Sequence, residues 1–206
     1  MALKNRRRWW RILVGSLTIA GIGFSVLHYW VDPYNPGFLK FTTLTNLHII
    51  LGIIYLVLAP FQFLSIARPG WMKYHRWVGR LLLSFALIVG VTAFIMAIVI
   101  PFSGLIESII VSFFSLIFIW SIIQGFITIR AKKVALHREW MIRAFSLGIG
   151  IASSRLIFLP VYFSLINPTL KDIKILFITC FTLAFSLHLI FAELWIRKTR
   201  LKKARG

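Results

Sequence analysis

Six long apolar stretches, each bounded by proline, glycine or charge, take up nearly the whole of this 206-residue chain. A helix needs about 20 consecutive apolar residues to cross the hydrocarbon of a bilayer. The stretches read as transmembrane spans from Trp10 to Val31, Leu44 to Ile66, His75 to Ile100, Gly104 to Ile129, His137 to Ile166 and Asp172 to Ile196. Breakers stand between them, at Asp32, Pro33, Asn35, Pro36 and Gly37, at Pro69 and Gly70, at Pro101 and Gly104, and at Asn167 and Pro168. Composition agrees: 59% of residues are hydrophobic and 14% charged, against about 25% charged in a soluble domain. The expected architecture is all-α, a single multi-pass transmembrane domain over residues 1–206 built as a bundle of six helices.

Lys4, Arg6, Arg7, Arg8 and Arg11 ahead of an apolar run imitate a signal peptide, but after Leu27 the chain reads His28, Tyr29, Trp30, Val31, Asp32 and Pro33, without a small-x-small cleavage site. The first span is therefore expected to stay attached. Lys and Arg number 24 against 5 Asp and Glu, a net charge of +19. In a soluble protein that excess would suggest nucleic acid, but here its placement explains it. With six spans, the N-terminal group, then Arg68, Lys73, Arg76 and Arg80, then Arg130, Lys132, Lys133, Arg138 and Arg143, then Arg197 through Arg205 all fall on one side. Lys40, Lys171 and Lys174 fall on the other. The positive-inside rule then places both termini in the cytoplasm of a bacterial inner membrane, with the lipid bilayer as partner and no nucleic acid. Trp9, Trp10, Trp71, Trp77, Trp140 and Trp195 gather near the basic boundary and Trp30 at the opposite one, as interfacial anchors do.

Offset by 62 residues, the chain matches itself at Gln62 and Gln124, Arg68 and Arg130, His75 and His137, and Arg76 and Arg138. Two explanations fit: a parallel repeat of a two-helix hairpin, or shared topology alone. Either way His75 and His137 are expected at equal depth near the basic surface. At about 100° per residue, small residues form stripes: His75, Gly79, Ala86, Gly90, Ala93 and Ala97 on the third span, and His137, Ala144, Gly148, Ala152 and Arg155 on the fifth. His48, Gly52, Tyr55, Ala59 and Gln62 line the second. Such stripes admit either a neighbouring backbone or a flat ligand, and close helix packing is the commoner use.

Arg155 sits more than a turn inside an apolar span, so its charge has to be answered by Glu107, by a carbonyl, or by an anionic ligand such as a carboxylate or phosphate. The histidines are His28, His48, His75, His137 and His188, all in or at the edge of spans. Neutral imidazoles on facing helices are the usual means of holding haem b, although histidines at a membrane surface also serve as interfacial anchors. His75 and His137 are the candidate iron ligands, His48 a candidate for a second site, and Arg76, Arg143 and Arg155 candidates to neutralise haem propionates. The single Cys180 gives no disulfide, no CxxC and no CxxCH for covalent haem. HExxH, Walker A, GxSxG and DxD-like patterns are absent from the sequence, which disfavours hydrolysis and nucleotide-driven transport. The few acids leave little for a proton or sodium relay.

The string His48-x3-Gly52, Pro60-x-Gln62-Phe63, Arg68, His75-Arg76-x2-Gly79-Arg80, then His137-Arg138-x-Trp140-Met141-x-Arg143 and Arg155 resembles the bacterial membrane proteins grouped as DUF2306, a family without a settled activity. The resemblance runs over roughly residues 40–165. It implies a multi-pass membrane protein and marks the matched His and Arg positions as a site, leaving His28 and His188 outside. The leading expectation is a cytochrome b-like, haem b-binding electron-transfer protein, a membrane oxidoreductase with a quinone or a ferric species as partner. Two others stand beside it. One is a non-redox module in which Arg155, Gln62, Tyr55 and His48 line a cavity for a small anion. The other is an accessory or assembly subunit, working as a homo-oligomer or within a membrane complex, whose stripes only pack helices.

Overall fold

A computed structural model describes residues 14–23, 40–65 and 70–204. Every regular element in them is helical: α1 (Val14–Gly23), α2 (Thr42–Ser65), α3 (Met72–Val99), α4 (Leu105–Arg130), α5 (Val134–Ser164) and α6 (Leu170–Ala204). Helices α2 to α6 are each long and apolar enough to cross a bilayer. Of the first expected span, α1 is the part that lies within the described residues.

The breakers act where the sequence puts them. Gly104 takes φ +80° and directly precedes α4, and Asn167 takes φ +52° between α5 and α6; both are left-handed conformations that glycine and asparagine tolerate best. Two helix starts fall one turn earlier than hydropathy suggests. His75 and His137 lie inside the first turns of α3 and α5, their amides bonded to Trp71 and Lys133 carbonyls at 2.8 and 3.0 Å. The end of α6 runs on to Ala204, past Ile196, where the apolar stretch stops.

Helices α2, α3, α4 and α5 pack in sequence, and α5 returns to α2, closing a four-helix ring. The α2–α5 seam is made by Tyr55 against Gly148 and by Phe63 against Phe145, ring centroids 5.0 Å apart. Helix α1 lies over this seam, because a Cβ on Gly21 would meet both Leu56 Cδ1 at 3.1 Å and Ala152 Cβ at 3.2 Å. Helix α6 packs outside the ring on α4 and α5 through Phe181 and Phe185, stacked at 4.1 Å and touching Phe114. Outward faces carry Trp120, Phe163 and Phe191, the last 65% exposed. Apolar surface on that scale suits hydrocarbon rather than water.

Neighbours fill the small-residue stripes of α3 and α5, whereas a Cβ on Gly52 of α2 would meet nothing within 4 Å among the described residues. Gly90 faces Phe118 and Ile119 of α4, Gly148 faces Tyr55, and Gly150 faces Phe185. Ala86 and Ala152 are fully enclosed. In lipid, where burying apolar groups yields little between helices, such close approach supplies the van der Waals contact that holds a bundle together.

A histidine pair at the basic end of the bundle

The α2–α3 and α4–α5 hairpins turn at the end where the basic residues gather, and each carries a histidine in the first turn of its second helix. His137 lies on α5, and its Nδ1 donates to the carbonyl of Gly125 on α4 at 2.8 Å. A carbonyl only accepts, so Nδ1 carries the proton and the neutral ring keeps its lone pair on Nε2. His75 on α3 is held in the same manner by the backbone carbonyl of Gln62 on α2. Arg76 follows His75 directly on α3. Arg76 itself is exposed. Gln62 lies over Gly79, its Oε1 within 3.5 Å of where a Cβ would stand. A backbone carbonyl fixing one ring nitrogen is the usual second partner of a metal-binding histidine, because it sets the tautomer and aims the other nitrogen.

His48 sits toward the opposite end. Its Nδ1 is shared between the Val89 carbonyl at 3.2 Å and the Thr92 hydroxyl at 3.0 Å, tying α2 to α3. Among the described residues no second imidazole accompanies it, and His28 lies outside them. His188 is bonded through Nε2 to Ser153 Oγ at 2.8 Å. No group of three or more His, Cys, Asp or Glu side chains converges among the described residues.

Arg143 faces α6, where Nε and Nη2 meet the two oxygens of Glu193 at 2.5 and 3.1 Å while the guanidinium covers the Trp140 ring at 4.5 Å. One turn nearer the basic end, Arg200 forks onto Glu139. These partners were the part of the site that the sequence reading missed. The signal for them lay in the scarcity of acids, since two of five stand among basic residues at the helix ends that pack together. Geometry ranks the two pairs. Arg143 is 15% exposed and Glu193 37%, whereas Arg200 is 57% exposed. Replacing Glu193 with alanine leaves a half-buried guanidinium without its acceptor and is expected to cost about 1–3 kcal/mol. Glu139→Ala should cost about 0–1 kcal/mol, because water answers Arg200. Thermal unfolding midpoints in detergent check this order, and equal shifts would refute it.

Arg155, Gln62, Tyr55 and His48 do not line one cavity. Gln62 belongs to the basic end, Tyr55 fills the seam at Gly148, His48 faces α3, and Arg155 lies on the Phe177 ring of α6.

Five membrane-length helices among the described residues, with large apolar side chains on their outward faces, make this a multi-pass membrane protein. It belongs to the DUF2306 family, described as predicted membrane protein, whose pattern it matches over residues 45–196. That range takes in His48, His75, His137, Arg143 and Arg155. No curated protein and no solved structure matches the chain.

Proposed function

We propose that this is a membrane-embedded haem b protein in which His75 and His137 would hold the iron, passing electrons to or from a quinone or a ferric species. The observation that carries the reading is the shared construction of the two imidazoles. Each opens the second helix of a hairpin that turns at the basic end, and each is held by a backbone carbonyl of the preceding helix. When bound, haem b supplies a reversible one-electron centre. The chain's own contribution is orientation: the Gln62 and Gly125 carbonyls fix the rings, and Arg76 offers a free cation for a propionate. Arg143 serves the α5–α6 contact instead, since Glu193 already answers its charge. The charge distribution supports a cytoplasmic basic end in the cell membrane, and a reporter fused to the C-terminus reads that side directly.

The test is a reduced-minus-oxidised absorption spectrum of the purified protein in detergent, with haem supplied during expression. The reading requires a Soret shift and sharp bands on reduction. A flat spectrum from well-folded protein overturns it and leaves the two carbonyl bonds as clamps between helices.

A further inference from the structure

Arg155 stands on α5 nine residues before its end at Ser164, about 14 Å along the helix axis from the end opposite the basic one. Its guanidinium offers five N–H donors, and among the described residues none of them meets a hydrogen-bond acceptor. Glu107 is the anion nearest in effect. Its carboxylate, however, is spent on α4's own start, where it accepts from the backbone N–H groups of Ser103 and Phe102. What Arg155 does touch is the face of Phe177, at 5.0 Å from guanidinium carbon to ring centroid. Face contact of this kind leaves the in-plane donors unspent.

The surroundings lead outward. Phe177 packs edge-on against Phe102 at 5.8 Å, and Lys174 lies over the Phe102 ring at 5.7 Å. Lys174 is one turn into α6, and its carbonyl accepts from Ser103 Oγ at 3.0 Å, which ties α6 to the turn before α4. Two cations thus bracket one aromatic pair, Lys174 near the helix ends and Arg155 deeper. The neighbouring acid, Asp172, is turned back onto the Thr169 amide and hydroxyl.

We infer that the ends of α4, α5 and α6 opposite the basic end form an oxyanion site, with Lys174 at its mouth and Arg155 at its base, for a phosphate or carboxylate group. A partly buried guanidinium with unspent donors in an apolar span is costly, and a bidentate oxyanion satisfies it best. The same chemistry is offered by a phospholipid headgroup and by a small soluble anion.

The experiment uses the full chain in detergent, delipidated, with thermal unfolding followed against inorganic phosphate or acetate at ionic strength held constant with chloride. A saturable rise in midpoint is expected, weakened about tenfold or more in Arg155→Gln and to a lesser degree in Lys174→Gln. Arg130→Gln, an exposed change at the other end, should leave it unaltered. In parallel, native mass spectrometry of protein from phosphatidylglycerol nanodiscs counts retained lipid. Phosphate or acetate stabilisation that needs Arg155 assigns a soluble ligand. Retained lipid that is lost in both Arg155→Gln and Lys174→Gln, without stabilisation by the free anions, assigns a headgroup. Neither response, or responses indifferent to both substitutions, overturns the site. Lys174→Gln alters a residue near the helix ends, so a fold failure of Arg155→Gln alone does not remove the test.

Discussion

A chain carrying His137→Asn is expected to insert and fold as the wild type does, yet to purify without the haem bands. The asparagine amide nitrogen falls close to where Nδ1 stood, so it can still donate to the Gly125 carbonyl that His137 reaches at 2.8 Å. The bond between α4 and α5 survives, and the stability loss should stay below about 1 kcal/mol. Nothing in asparagine replaces Nε2, which under the proposed function would hold the iron. His137→Ala removes both functions and should be colourless and about 1 kcal/mol less stable. The pair of variants separates the two roles of a membrane-boundary histidine. Haem bands retained in His137→Asn would show that the ring is an anchor and that iron is held elsewhere. His75→Ala is expected to match His137→Ala in colour, because under the proposed function both histidines would be needed to hold the haem.

The second large effect is steric. A Cβ built on Gly148 would stand 2.7 Å from Tyr55 Cε1, and Tyr55 has little room to retreat. It is 7% exposed and packed edge-to-face on Phe118, centroids 6.0 Å apart. Gly148→Val should therefore part the α2–α5 seam at a cost of about 1–3 kcal/mol, in spite of removing a glycine from a helix interior. Tyr55→Leu frees the space that valine needs, so the double variant should recover part of the loss, with a coupling of about 0.5–3 kcal/mol. Strict additivity in unfolding measurements would mean that the two residues are not in contact.

Span positions were legible because hydropathy and breakers report the same boundary from two sides. Four of the five long helices begin and end within about three residues of the expected limits, judged by Thr42–Ser65, Met72–Val99, Leu105–Arg130 and Val134–Ser164. The exception is instructive. Hydropathy marks where lipid ends, whereas α6 continues as helix to Ala204, carrying Arg200 onto Glu139 of α5. The glycine and alanine stripes were legible as features, but which helix fills each one was not. Helical periodicity gives a face and says nothing of the neighbour across it. Arg143 shows the same limit: its place at the basic boundary is written locally, while Glu193, 50 residues away, is chosen by how α6 docks. For Arg155 the sequence could name Glu107 as a candidate. It could not show that Glu107 is committed to the amides ahead of α4.

Between Met72 and Ala204 the chain leaves helix over three short connections, residues 100–104, 131–133 and 165–169. Traffic with this protein is divided accordingly. A molecule arriving through water finds helix ends and a few turn residues, too little contour for a folded docking domain to grip along that stretch. A molecule dissolved in the bilayer meets unbroken helix faces over their whole height. Along that stretch the face offered to the bilayer is therefore far longer than the turns offered to water.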